Sequence, residues 1–376
     1  MLQFIYVSER WCIDRAKWDK QPEPNNVAST MGVNLTPIIP KERTRLNGLR
    51  GRTLAVDASV TLYQFLSVIR LEYGVPLQDS RGRPTSHLTG LLYRTTRLIC
   101  DYDIRLVFVF DGPPSPLKQD ELRRRNLVRL EAHRQWEEAV AQGDREKAFS
   151  KAVTSTRLTR SMIEEAKRLL QYLGIPQLQA PSEAEAQAAH MCQMGRVWAA
   201  NTQDYDCLLY GAPRITRYVT IAGTEYLPSR RIARKLVPET IHLDRTLSSL
   251  GIGHDQLIDL AILIGTDYNS GIKGIGPKTA LKLMRAHGRI ECLPTELRTQ
   301  VTEKYSEIRR LFKEPEVTDN YTTNYASLHE DDLREFLVHE RGFSLQRVEA
   351  VIERMRKFYS TRTQTGLGQW LRDGPT

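Results

Sequence analysis

Few features of this 376-residue sequence point away from the interior of a cell. It has only five cysteines (Cys12, Cys100, Cys192, Cys207, Cys292), and no two are close. That scatter supports neither a zinc site nor a disulfide framework and suits a reducing compartment. Long apolar runs are missing: the longest strongly apolar, uncharged stretch, around Leu260 to Gly265, falls far short of the ~20 residues a membrane span needs. The N-terminal MLQFIYVSERW lacks a basic start and a proper apolar run, so a signal peptide is not expected. No internal repeat is visible. The chain reads as soluble and intracellular, with no membrane partner.

Apolar residues make up 40% of the chain, enough for a sizeable core, and charged residues 26%, with a formal charge of +9. The length allows one large α/β domain with a subdomain, or two ordinary domains. A basic surplus suits a polyanionic partner, but many basic proteins bind only counterions, so its placement matters more than its sum. Residues 1–30 carry four basic and four acidic side chains, so the surplus belongs to the remainder. They end in QPEPNNVAST and read as a poorly ordered extension or a mis-assigned start upstream of Met31. A short helix docked through Trp11 and Trp18 is the alternative.

From Arg52 the pattern is α/β. TLAVDA (53–58), RLVFVFD (105–111) and VWAANTQD (197–204) are β-rich runs that each end in or near an aspartate, and RITRYV (214–219) is a further candidate. Helical periodicity lies between the first two (Leu88, Leu91, Leu92, Thr95, Leu98, Ile99). Strands separated by helices imply a largely parallel sheet with crossover helices, and ligands bind outside the carboxyl ends of such strands. Residues 117–160 differ: they are highly charged, lack a clear apolar stripe over much of their length, and read as helices projecting from the core. An amphipathic helix resumes at about Ser161 and stops at Gly174-Ile175-Pro176.

Seven acids form the chemical constellation: Asp57, Asp111, Glu183, Glu185, Asp204, Asp206 and Asp267. No histidine stands beside them, which disfavours zinc. Magnesium takes oxygen ligands, keeps several waters and needs few direct carboxylates. Two such ions ~4 Å apart activate a water and stabilise a leaving 3′ oxygen, while surplus acids hold the surrounding waters. Asp204 and Asp206 share a side if the chain stays extended through Tyr205. Glu183 and Glu185 would point ~200° apart in a helix, so both face one site only if Glu183 precedes it. Ser182-Glu183-Ala184-Glu185 also fits a capping box, with Glu185 bonding back to the Ser182 amide. Asp267 follows the helix DQLIDLAILIG, near a carboxyl end where negative charge is disfavoured, so a cation nearby or a turn role explains it. For Asp57 and Asp111 ordinary turn chemistry stays open.

AVDASVTLYQFL (55–66), VFDGPPSPLK (109–118), APSEAEAQAA (180–189), TQDYDCLLYGAPR (202–214) and GTDYNSGIKGIGPKTAL (265–281) resemble, in order, the signature blocks of the flap endonucleases, with an archaeal cast. The likeness runs from Met31 to the C-terminus. It implies a Mg²⁺-dependent nuclease (two ions, Mn²⁺ substituting) that cuts one phosphodiester of 5′ flaps and has 5′–3′ exonuclease activity in replication and repair. It implies a metal role for all seven acids, Glu185 included. It implies an arch over about 112–160 through which a single-stranded flap passes, and it matches Lys118 and Arg125 to the bases that neutralise the scissile phosphate. Tyr63 matches an aromatic that stacks on a base beside the cut. Arg70, Arg94, Arg97, Arg123, Arg124 and Arg129 are candidate phosphate contacts, although the interspersed acids of the arch also fit a salt-bridged, solvated helix pair.

Gly271 to Lys278 reads as a helix–hairpin–helix loop. Gly274 and Gly276 admit a phosphate to the backbone, Pro277 opens the next helix and Lys278 adds charge. In the family this loop also holds K⁺. The expected organisation is a nuclease core over 31–250, the hairpin region over 251–290, a C-terminal helical region over 291–360 and a flexible tail over 361–376. In that tail Gln364, Leu367, Trp370 and Leu371 resemble the peptide by which replication proteins dock on a PCNA-type sliding clamp, with Trp and Leu replacing the usual aromatic pair. The remaining expectations are branched-DNA partners (5′ flaps, nicked or gapped duplex), a monomer, and a cytoplasmic, nucleoid-associated location, nuclear in a eukaryote. The alternatives are a sister 5′ nuclease for gaps, bubbles or four-way junctions, and a non-catalytic clamp adaptor. Relatives begin at the counterpart of Gly32, so the thirty residues ahead of Met31 are a departure.

Overall fold

The computed structural model describes residues 32–221, 223–227 and 232–373, with the side chains of 222–235 and 362–376 excepted. The leader expected over residues 1–30 therefore lies outside the described residues, as do the side chains of Gln364, Leu367, Trp370 and Leu371.

The strands are β1 (Glu42–Arg43), β2 (Thr53–Asp57), β3 (Arg105–Phe110), β4 (Gln177–Gln179), β5 (Ala199–Asn201), β6 (Arg214–Arg217), β7 (Gly223–Leu227), β8 (Ile232–Leu236) and β9 (Glu239–His242). Seven form one sheet in the order β1-β9-β6-β5-β2-β3-β4, while β7 and β8 make a separate hairpin. From β4 to β6 every neighbouring pair is parallel; β9 and β1 add an antiparallel edge. A mainly parallel α/β sheet is thus what the alternating runs predicted. The edge strands β1 and β4, and β9 beside β1, escaped notice because they are short and rich in polar residues.

Period-two alternation partitions the central strands between two cores. Ala55, Val107 and Val109 join one apolar cluster, whereas Leu54, Val56, Leu106, Phe108 and Phe110 join the other. Both faces are covered by helices, so β2 and β3 are almost wholly apolar. The helices that matter below are α1 (Ala58–Val68), α2 (Ser86–Gly90), α3 (Thr96–Tyr102), α4 (Gln119–Ala141), α5 (Arg145–Thr154), α6 (Arg160–Tyr172), α7 (Ala184–Gln193), α8 (Asp206–Leu209), α9 (Leu243–Leu250), α10 (His254–Ile264) and α11 (Pro277–His287). After β2 the chain builds β3 and β4 on one side, then crosses to β5 and β6 on the other. The crevice outside the carboxyl ends of β2 and β5 is therefore a topological switch point, where such sheets bind ligands.

The long pair α4 and α5 stands out from the core. The two helices meet through small side chains (Ala132, Ala139, Ala148, Ala152) while Leu127 and Leu130 remain exposed. Helices α10 and α11 flank the glycine loop, with Gly276 as N-cap and Pro277 in the first turn of α11. At the C-terminus a helix runs unbroken over Leu345–Asp373, where a flexible tail was expected from residue 361; no proline interrupts it before Pro375. Among the described residues no single helix is long and apolar enough to cross a membrane.

Candidate active site

The seven acids gather at the carboxyl edge of the sheet. Asp57 ends β2 and caps α1, accepting from the Val60 amide at 2.8 Å. Asp111 directly follows β3, and its carboxylate accepts from the Ala184 amide at 2.9 Å, so it caps α7 from a distant part of the chain. That bond settles the capping box differently from the local reading. Glu183 is the N-cap residue, with extended backbone (φ −77°, ψ 133°) and no side-chain cap bond. Glu185 instead accepts from the Thr202 hydroxyl at 3.0 Å. Glu183 thus leaves the helix early, which is the condition for both glutamates to face one site.

Asp204 and Asp206 meet the group in another way than expected. The chain is not extended through Tyr205: it bends there, and α8 begins at Asp206. Arg217, which the sequence did not single out, explains the bend. It is buried at the end of β6, donates to the Tyr205 hydroxyl at 2.7 Å and lies between the rings of Tyr205 and Tyr218. Asp206 is further fixed by the Val33 amide at 3.1 Å, and Asp267 by the Gly32 amide at 3.3 Å. Gly32 has φ 83°, and a Cβ there would stand 2.9 Å from Asp206 Oδ2, so a side chain would displace that carboxylate.

Asp57, Glu183, Asp204, Asp206 and Asp267 are buried, Glu185 is half-buried and Asp111 exposed. Burial, then the neighbouring Asp111 charge, pushes the Asp57 carboxyl up to about 8. Burial and Asp267 push Asp206 up to about 7. Burial and then Asp206 push Glu185 and Asp204 well above the carboxylate range. Glu183 is raised by burial, offset in part by Lys118. So much confined negative charge is an electrostatic demand for cations.

The arch meets part of that demand. Lys118, just ahead of α4, places its ammonium 2.6 Å from Glu183 and 3.1 Å from Asp267. Arg125 lies 2.5 Å from the other Asp267 oxygen and is braced by Glu121 at 2.7 Å. Although burial lowers the Lys118 pKa, the two carboxylates outweigh it and hold the amine protonated. The cations inferred near Asp267 are therefore these two side chains. Among the described residues no three His, Cys, Asp or Glu side chains close on one point as a ready metal cage; Lys118 bridges two of the acids instead. The donor set still fits a hard divalent ion. It is all oxygen and acid-rich, and the buried Glu183 Oε1 has no hydrogen-bond partner.

The other predicted residues divide. The Tyr63 hydroxyl donates to the Thr156 carbonyl at 2.7 Å, and Arg129 lies over its ring at 5.5 Å. Arg70, expected at a phosphate, donates from its guanidinium to the Gly74 carbonyl and the Thr156 hydroxyl while its side chain stays partly exposed. Arg94 is half-buried, whereas Arg97 is exposed and stacks on Tyr102 at 5.6 Å. Arg123 and Arg124 are exposed and paired with Asp120 and Glu121, as a salt-bridged helix would have them. Lys278 is exposed, and no heavy atom outside the immediate chain lies within 4 Å of a Cβ built on Gly274 or Gly276, so that backbone is open to a ligand.

A buried acidic cluster at a sheet's switch point, roofed by a cationic arch, defines a hydrolase for anionic esters. The XPG N-terminal domain matches residues 31–132 and the XPG I-region residues 174–267. Flap endonuclease 1 of Methanothermobacter thermautotrophicus is 45% identical over 341 residues, 90% of this chain and all of that protein. Its Pyrococcus furiosus counterpart is 44% identical over 343 residues, 91% of this chain and all of that protein. Among solved structures, flap endonuclease-1 from Methanococcus jannaschii superposes with a TM-score of 0.71 at 39% identity, covering 88% of this chain and all of the other. The catalytic core of Rad2 in complex with DNA substrate gives 0.62 at 26%, covering 86% and 100%. The chain belongs to the flap endonuclease family, nucleases that hydrolyse phosphodiester bonds and generally use divalent metal ions.

Proposed function

We propose that this protein is a structure-specific 5′ flap endonuclease with 5′–3′ exonuclease activity, working on branched DNA in replication and repair. The observation that carries the reading is the convergence of five buried acids, with half-buried Glu185 among them and Asp111 at their rim, under the two cations of the arch root. A protein that only bound DNA would gain nothing by concentrating acids beside a polyanion.

Asp57, Asp111, Glu183, Glu185, Asp204, Asp206 and Asp267 would hold two Mg²⁺, for which Mn²⁺ can substitute. When bound, the ions lower the pKa of a water and stabilise the leaving 3′ oxygen. The chain's own residues do the rest. Lys118 and Arg125 offer fixed positive charge to the phosphate undergoing attack, in a site screened from water. Tyr63, with Arg129 over its ring, would offer a stacking surface to a base of any sequence next to the cut. Thr202, Arg217 and the Gly32 and Val33 amides keep the carboxylates converged when repulsion would part them.

Duplex DNA would rest on the Gly271–Lys278 loop, whose backbone is open at Gly274 and Gly276 and which would also hold K⁺; backbone contacts of that kind read shape, not sequence. The remaining partner is a PCNA-type clamp engaged by Gln364, Leu367, Trp370 and Leu371, the chain acting as a monomer beside the genome. The test is to incubate 5′-labelled flap, nicked-duplex, bubble, four-way-junction and single-stranded DNA with the protein in Mg²⁺ or EDTA. Release of the flap at the junction in Mg²⁺ alone is expected. Preference for the bubble or the four-way junction would instead make this a sister nuclease, and no cleavage of any substrate would leave a binding protein.

A further inference from the structure

The arch is fastened to the core at a second place, far from its root. In the turn Glu72–Gly74, Tyr73 has left-handed backbone (φ 56°, ψ 13°). For a bulky aromatic that conformation crowds Cβ against the backbone and persists only where the surroundings impose it. Here the arch supplies those surroundings. Trp136 of α4 donates its indole N–H to the Tyr73 carbonyl at 2.9 Å. Arg145, which opens α5, lies over the Tyr73 ring at 5.4 Å, and its Nε is 3.3 Å from the Tyr73 hydroxyl. Gly74, with φ 77°, packs so closely under α5 that a Cβ would stand 2.5 Å from Ala152 Cβ and 3.1 Å from Phe149 Cα. Just past α5, Thr156 receives Tyr63 and Arg70, and Arg70 reaches back to the Gly74 carbonyl.

We propose that the Glu72–Gly74 turn is the seat of a latch: Tyr73 and Gly74 hold the far end of the arch and so position Lys118 and Arg125 over the acids. Tyr73 and Trp136 are positioning residues that touch neither substrate nor metal. The latch consists of the Trp136 hydrogen bond, the Arg145 contacts to the Tyr73 ring and hydroxyl, and the packing of buried Gly74 under Ala152. Tyr73 and Trp136 are only partly buried and Arg145 is exposed, so it can open without unfolding the core. Relief of the left-handed backbone at Tyr73 favours opening, and the contacts to Trp136 and Arg145 favour closure. The consequence for catalysis rests on the flap endonuclease reading; the geometry does not.

Trp136→Phe keeps the aromatic bulk and removes only the N–H, and Arg145→Met keeps the stem and removes the charge. In hydrogen exchange on the full chain without DNA, each variant is expected to speed exchange over residues 119–154 by about two- to tenfold, the range a single net hydrogen bond supports. Amides of β2, β3 and α10 should be unchanged. A flap carrying a bulky 5′ group should gain several-fold in cleavage rate relative to a free-ended flap. The latch is overturned if arch exchange does not move, if exchange rises equally in β2 and β3, or if the blocked-to-free ratio stays fixed. Should the unaltered protein cut no flap at all, the proposed function fails while the exchange measurement still decides the latch.

Discussion

Replacing Lys118 by Met preserves the aliphatic stem and deletes the ammonium that lies 2.6 Å from Glu183 and 3.1 Å from Asp267. Only 15% of that side chain is exposed, so little solvent screens the loss. Removing one member of a buried ion pair costs ~3–5 kcal/mol, chiefly because the partner charge is left uncompensated. Asp267 retains Arg125 and the Gly32 amide, which places the variant near the lower end, about 3 kcal/mol. At ~2 °C per kcal/mol for a protein of this size, the melting temperature in EDTA should fall by about 6 °C. A divalent ion replaces the missing positive charge, so the deficit should shrink at saturating Mg²⁺ and the apparent Mg²⁺ affinity should rise. Flap cleavage should nevertheless drop by ~10²–10³, the usual loss when a preorganised charge is withdrawn from a transition state. Calorimetric melting of both proteins in EDTA and in stepped Mg²⁺, beside single-turnover cleavage, reads all three quantities. An equal deficit with and without Mg²⁺, or none in EDTA, would refute the idea that Lys118 is the resident counter-ion of the acids.

Two further outcomes follow from the same site. Asp57 and Asp206 are raised to about 8 and about 7, above their unfolded values, so the stability they confer is complete below about pH 4. It is lost as pH climbs through 7 and 8. The melting temperature in EDTA should therefore decline between pH 5 and 8.5, and the benefit of added Mg²⁺ should grow over that window; a flat or rising EDTA profile contradicts this. Protein beginning at Met31 should cut flaps at least as fast as the full chain, since Gly32 itself lies against Asp206 and Asp267. A clear loss of activity on removing residues 1–30 would count against that.

Sheet class and acid positions were legible because they are written in local pattern. TLAVD and RLVFVF are buried on both faces and so stay apolar to the last residue, which leaves Asp57 and Asp111 conspicuous. Glu183 and Glu185 were only half legible. The Ser182 capping box was a sound local alternative, and it loses to Asp111, which reaches the Ala184 amide from across the sheet. The bend at Tyr205 was not legible, for its cause is long-range. Arg217 sits in RITR, where a charged residue looks solvent-facing, and only the packed fold shows two rings closing over it. The surroundings of Arg70 were not legible either, since the carbonyl and hydroxyl that it meets come from Gly74 and Thr156. The latch at Tyr73 has no sequence signal, because a tyrosine with positive φ looks like any other until its neighbours are known.

The most direct measurement is the number of Mn²⁺ ions taken up by the metal-free protein, titrated calorimetrically beside Asp57→Ala and Asp204→Ala. The account expects two ions in the unaltered chain, with at least one site lost in each variant while the fold is retained. No uptake, or the same uptake in all three proteins, would mean that the acids beneath the arch are not where the metal goes.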